Sequence, residues 1–219
     1  MKSISEENGL NLLEENDLSI MSVGISSALS AEIKMCERNK NSHIIATTID
    51  ENGFLYAKDL IIKHGLEDRI ELKLEDVSKK LVYEDNTFDY IYARLVLHYL
   101  DNDSLRNALS ELYRVLKYNG KLFVVVRSIN SWESKLKGSV YDEKTGITTH
   151  PNTRKNSNYD GYCSRRLHSK ESIKQFLEES GFVLDYIKCY MEYLSFDFER
   201  KDFNDKPSEV IEVLSKKIR

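Results

Sequence analysis

At 219 residues, 41% hydrophobic and 31% charged, the chain can bury one sizeable core and reads as one enzyme-sized domain with no low-complexity repeat. A net charge of −4 supplies no overall field for a polyanion, so nucleic acid is not the expected partner, although a local basic patch stays open. Residues 1–8 carry Glu6 and Glu7 instead of an apolar core, and no run approaches the roughly eighteen apolar residues of a membrane span, so a cytoplasmic chain without a membrane partner is expected.

Strand-like and helix-like segments alternate from the start. Ser19 to Val23 is a short apolar run ending at Gly24, and the helical spacing of Ala28, Ala31, Ile33 and Met35 follows it. His43 to Ile49 is β-branched and stops at Asp50, after which Phe54, Leu55, Ala57, Leu60 and Ile61 recur at helical intervals up to a stop at Gly65. Ile70 to Leu74 alternates cleanly and ends at Glu75-Asp76; Phe88 to Ala93 reads as a further strand. Ser104 to Leu116 has the three-four spacing of an amphipathic helix, with Asp103 or Ser104 as its expected cap, and Tyr118-Asn119-Gly120 supplies a turn with a left-handed position.

Lys121 to Val126 is nearly all apolar, as a strand buried on both faces of a parallel sheet should be. Four strand–helix units in succession imply right-handed crossovers in an α/β sheet. Ser128 to Arg166 differs: it is polar and aperiodic yet studded with Trp132, Tyr141, Tyr159 and Tyr162, the signature of a lid, a binding loop or a disordered excursion. Order returns with a helix from Ser169 to its stop at Gly181 and a strand over Val183 to Met191, and the β-branched enrichment of Pro207 to Arg219 predicts a closing edge strand.

Five stations in this order resemble the class I S-adenosylmethionine-dependent methyltransferases from about Asp17 onward. SIMSVGISSALS stands where that family has its first strand and GxGxG loop, and IIATTIDEN where its second strand ends in an acid. IELKLEDVSKKLVYEDNTFDYIYARLVLHYL, the most specific stretch, is similar to its third and fourth strands; LSELYRVLKYNGKLFVVV and RRLHSKESIKQFLEESGF are similar to the elements that follow. The resemblance implies a Rossmann-like α/β fold: a seven-stranded mixed sheet in the order 3-2-1-4-5-7-6, strand seven antiparallel, helices on both faces. It implies one domain over 1–219, with 128–168 as a lid between strands five and six. It also implies S-adenosyl-L-methionine as cofactor and, with no separate recognition domain in view, a small-molecule methyl acceptor. A catalytically silent binding module and an RNA or protein methyltransferase are the alternatives, and the oligomeric state stays open, a homodimer included.

The same resemblance assigns the cofactor residues. Gly24 is the retained loop glycine, with Ser26 and Ala28 at the positions of the other two and Ser22 at the strand-end acid. Asp50, with Glu51 beside it, would take the ribose hydroxyls; otherwise it is a helix N-cap or surface acid. Asp76 and Val77 would meet the adenine, and Arg94 and Leu95 would line the floor, with a plain turn and a surface ion pair as the respective alternatives. His98 is a candidate base, although its apolar neighbours favour a structural role. Tyr162 and His168 are further catalytic candidates, and Trp132, Tyr162, Arg165 and Arg166 are candidate acceptor contacts that would orient a carboxylate or phosphate. Methyl transfer from a sulfonium needs alignment and desolvation more than acid–base machinery, so no catalytic residue is fixed by the sequence. Cys36, Cys163 and Cys189 show neither CxxC nor paired Cys/His spacing, which argues against a disulfide framework and a zinc site; no metal is expected.

Overall fold

The computed structural model describes residues 3–25, 29–151, 161–194 and 206–219. Its centre is a seven-stranded sheet built from β1 (Ser19–Val23), β2 (His43–Thr48), β3 (Ile70–Leu74), β4 (Phe88–Arg94), β5 (Leu116–Arg127), β9 (Val183–Glu192) and β10 (Ser208–Lys216), in the order β3-β2-β1-β4-β5-β10-β9. The first five strands run parallel, and β10 is antiparallel to both neighbours. With the lid strands set aside, this is the expected 3-2-1-4-5-7-6 order.

Both faces of the sheet are covered because the strands bury alternate residues on opposite sides. Met21, Ile91, Val124 and Val213 join the core under α4 (Asn102–Val115) and α5 (Lys170–Glu179). Ile20, Ala46, Tyr90, Phe123 and Val210 face α1 (Ile4–Leu10), α2 (Ser30–Arg38) and α3 (Glu51–His64). Local chemistry sets the helix ends. Asp50 accepts from the Asn52 amide at the start of α3, and Gly65 closes that helix in the left-handed region at φ 62°. Asn119, at φ 65°, takes the left-handed position of its turn.

Four readings need correction. The cap of α4 is Asp101, whose carboxylate accepts from the Ser104 amide at 2.8 Å, because the helix begins at Asn102, ahead of the first apolar position at Leu105. β5 starts at Leu116 rather than Lys121; the turn residues still pair with the sheet, Leu116 opposite Phe88. β10 is interior, hydrogen-bonded along β5 and β9, so the edge belongs to β9. Finally, residues 4–10 form α1, whose Gly9 sits so close to the sheet that a Cβ there would lie 2.5 Å from the Tyr92 ring.

The segment after β5 is ordered where described: a 3-10 turn (Trp132–Lys135), then an antiparallel sheet of β6 (Val140–Asp142), β7 (Ile147–Pro151) and β8 (Tyr162–Arg165). Among the described residues, no helix is long and apolar enough to cross a membrane, and no group of histidines, cysteines and acids is placed to hold a metal ion.

Candidate active site

The sheet order reverses between β1 and β4, and the crevice at the carboxyl ends of such strands is where open α/β sheets take ligands. Gly24 follows β1 at φ +67°, and a Cβ there would fall 2.3 Å from Cγ2 of Val96, so the missing side chain makes room for the residue just past β4. Leu95, beside Val96, and Leu29, at the start of α2, also hold positive φ, 56° and 46°. Such backbone costs about 1–2 kcal/mol in a leucine, and this kind of strain gathers where a site imposes the conformation. Ser26 and Ala28 lie outside the described residues.

Ser22 is buried on the α2 side of β1 and donates through Oγ to Oε1 of Glu32 at 2.5 Å. Glu32 is 2% exposed. A carboxylate therefore does stand at the end of β1, delivered by the first turn of α2 instead of by the strand. Sequence reasoning missed it: a glutamate early in a helix ordinarily faces solvent, and nothing local marks this one as turned inward.

Asp50 stands half-buried at the end of β2, one carboxylate oxygen engaged in the helix cap. A Cβ at Gly53 would lie 2.6 Å from its other oxygen, so Gly53 keeps that side open. Glu51 is exposed beside it. Past β3, the exposed Asp76 accepts from the Ser78 amide and hydroxyl through Oδ1, and Val77 is buried. Arg94 donates to the Ser5 and Ser3 hydroxyls at 2.6 and 2.7 Å and lies 3.8 Å from Glu192, so α1 engages its charge.

His98 lies in a 3-10 turn (Leu97–Tyr99) after β4 and is 1% exposed. Neither ring nitrogen has a hydrogen-bond partner; burial, and then the cations of Arg165 and Arg127, hold the imidazole well below its usual pKa. His168 is fully buried, Nδ1 3.2 Å from the Ser172 hydroxyl, its pKa lowered to about 3 by burial and then by Arg166. Both candidates are therefore neutral imidazoles at physiological pH.

The lid separates the acceptor candidates. Tyr162 points outward and is 64% exposed. Arg166 is a strap: it donates to the Leu100 and Thr145 carbonyls and to Asn102 Oδ1, joining the start of α4 to the β6–β7 hairpin. Arg165 is 5% exposed, its guanidinium 5.8 Å from the Tyr99 ring centre and its Nε without an acceptor. Arg127, which sequence reasoning did not single out, is paired with Glu133 at 2.6 Å, both buried. Trp132 has its indole Nε1 buried and unpartnered. A cleft of about 400 Å³ opens between the β6–β7–β8 sheet and the start of α5, with Tyr141, Thr148, Arg166 and Ser172 on its walls.

A family model described as a methyltransferase domain matches residues 22–124, which run from Ser22 through the strand ends into β5. Over these residues the chain is similar to methyltransferase domains. Phosphoethanolamine N-methyltransferase 3 of Arabidopsis thaliana is 26% identical over 168 residues, 76% of this chain and 33% of that protein. A demethylmenaquinone methyltransferase of Bacteroides fragilis is 31% identical over 93 residues, 42% of this chain and 37% of that one. The chain thus spans about a third of the length of these curated relatives. A solved S-adenosylmethionine-dependent methyltransferase from Methanosarcina mazei superposes with a TM-score of 0.74 at 18% identity, covering 95% of both chains. That likeness extends the fold beyond the matched residues, to β10 and β9.

The chemistry of these residues would suit S-adenosylmethionine: Asp50 presents a carboxylate whose outer side Gly53 leaves open to a nucleoside, and Glu32 puts a buried carboxyl group at the end of β1.

Proposed function

We propose that this protein is an S-adenosylmethionine-dependent methyltransferase acting on a small-molecule acceptor. The observation that carries the reading is the placement of Gly24 and Glu32 at the end of β1, beside the β1/β4 switch point, with Asp50 at the end of the neighbouring β2. Asp50 would accept from the ribose hydroxyls, a charge-assisted bidentate contact, and Asp76 would receive the adenine amino group over Val77. Gly24 would turn the backbone toward the methionine end, near the Ser22–Glu32 pair, with Leu95 as floor. When bound, the cofactor supplies an electrophilic methyl on a sulfonium. The protein's part is alignment and exclusion of water, the second of which the lid is placed to provide. The relatives named for phosphoethanolamine and demethylmenaquinone support a small molecule as acceptor.

One observation favours a second reading, a binding module without turnover: Val96 occupies the space beside Gly24, and Arg94 is engaged by α1. Calorimetric titration with S-adenosylhomocysteine separates the two. Micromolar binding is expected, and no heat at millimolar ligand would sink the enzyme reading. Asp50→Ser keeps an N-cap hydroxyl but removes the charge, so affinity should fall about 10- to 150-fold, the worth of a charge-assisted hydrogen bond of about 1.5–3 kcal/mol, with little change in Tm.

A further inference from the structure

A buried group of basic side chains lies where the lid meets the sheet, beyond the cofactor crevice. β7 and β8 pair so that Thr148 opposes Arg165 and His150 opposes Cys163, which puts these four side chains on one face of the lid sheet. Thr148, His150 and Arg165 are buried there, and the outward face holds Tyr162 and Ser164. His98 approaches the same region: its carbonyl accepts from the Arg166 amide at 2.7 Å, and Arg165 acts electrostatically on both the His98 and His150 rings. The 3-10 turn that carries Trp132 packs against β7.

The hydrogen-bond accounting here is unusual. Nε of Arg165, Nε1 of Trp132, Nε2 of His150 and both nitrogens of His98 are buried without a partner. Among the described residues, the carboxylate buried in this region is Glu133, and it is engaged with Arg127 and with the Ser208 hydroxyl. Each buried donor left without a partner, Nε of Arg165 among them, costs about 1–3 kcal/mol. A sheet junction built only for stability would hold leucine or methionine at position 165. Donors of this kind, with Arg165 acting on both the His98 and His150 rings, are what an oxyanion would satisfy.

We propose that Arg165, with His98, His150 and Trp132 around it, binds an oxyanion, a carboxylate or phosphate carried by the methyl acceptor. The fork of Arg165 would take two oxygens, and the neutral imidazoles and the indole N–H would donate to the remaining lone pairs. Access needs little rearrangement, because Tyr99, over which the guanidinium lies, is 57% exposed and can swing aside. The site rests on the methyltransferase reading only in naming the acceptor as the carrier of the anion.

Trp132 is the only tryptophan of the chain, so its fluorescence reports on this place alone. The full chain is titrated with inorganic phosphate and, separately, with propionate, ionic strength being held constant with sodium chloride. A saturable change with either is expected, and the effective anion shows which group the acceptor carries. Arg165→Met should raise the apparent Kd at least about tenfold while keeping or increasing Tm, since it removes a buried side chain whose Nε has no hydrogen-bond partner. Arg165→Lys, which keeps the charge without the fork, should fall between; it also decides the matter if the methionine variant does not fold. A flat titration with both anions, an unchanged Kd in the variants, or a Tm loss of several degrees in Arg165→Met would overturn the site. Binding of S-adenosylhomocysteine with no anion response removes this inference alone. An anion response without S-adenosylhomocysteine binding removes the methyltransferase reading instead.

Discussion

The two halves of the candidate active site are held by different physics. At the strand ends around Gly24, Asp50 and Asp76, the shape is set by backbone, with left-handed residues at 24, 29 and 95, and the polar atoms that matter are mostly engaged: Ser22 with Glu32, Asp76 with Ser78, Arg94 with α1. Under the lid the backbone is regular antiparallel sheet, and the side chains carry the unusual features, several of them buried donors without acceptors. A site half defined by backbone suits a ligand common to a whole family, because main-chain geometry survives sequence change. One defined by side chains suits a ligand particular to this protein.

Three measurements sharpen or break this contrast. The largest effect is expected at the buried charge pair Arg127 with Glu133. Glu133→Ala removes the carboxylate from a buried ion pair and should lower stability by about 3–5 kcal/mol in urea unfolding, in opposition to the neutral or stabilising Arg165→Met. A loss below about 1 kcal/mol would mean that the pair adds nothing to stability.

Next comes the backbone half. Gly24→Ala puts a Cβ into the left-handed region and onto Val96, for an expected loss of about 2–4 kcal/mol. Adding Val96→Ala should restore the steric part, a coupling of about 1–2 kcal/mol, whereas strict additivity would show that Val96 is not what fills the space.

The most gradual effect, spread over several pH units, is the pH dependence of buried His168. The His168 pKa is depressed to about 3 in the folded chain, so the unfolded chain takes up the proton first as pH falls through about 6.5. The stability contribution is complete above that value and declines toward pH 3, by at most about 1.4 kcal/mol per pH unit for this one group. His168→Gln should flatten the stability–pH curve by that slope between pH 6 and pH 4; an unchanged slope would mean that His168 is protonated in the folded state.

Much of the fold could be read from residues in order. β-branched runs marked β1, β2 and β4, the three-four spacing marked α4, and Gly65 and Asn119 marked turns, because each signal is local and acts within a few residues. Four elements escaped, and a fifth was misplaced. α1 is short and polar, and it is held by contacts with distant residues, among them Glu192 and Tyr90. The three lid strands are short and mostly polar, so they show no strong period. β10 looked like an edge because its apolar pattern permits either place; pairing with both β5 and β9 decided it.

The site divides in the same way. Gly24, Asp50 and Asp76 could be located because they end strands, and strand ends are visible in the order of residues. Glu32 could not, since its inward turn depends on Ser22 across the strand–helix packing. Arg165 and Arg166 make the point most sharply. They are adjacent and of one type, and the sequence by itself determined only that two cations close the lid. The tertiary structure made one a strap bonded to Leu100, Asn102 and Thr145 and left the other buried without an acceptor, because residue 165 faces inward from β8 while residue 166 lies past the strand's end and reaches α4. Burial and partnership are properties of three-dimensional neighbours, and these two residues acquire different ones.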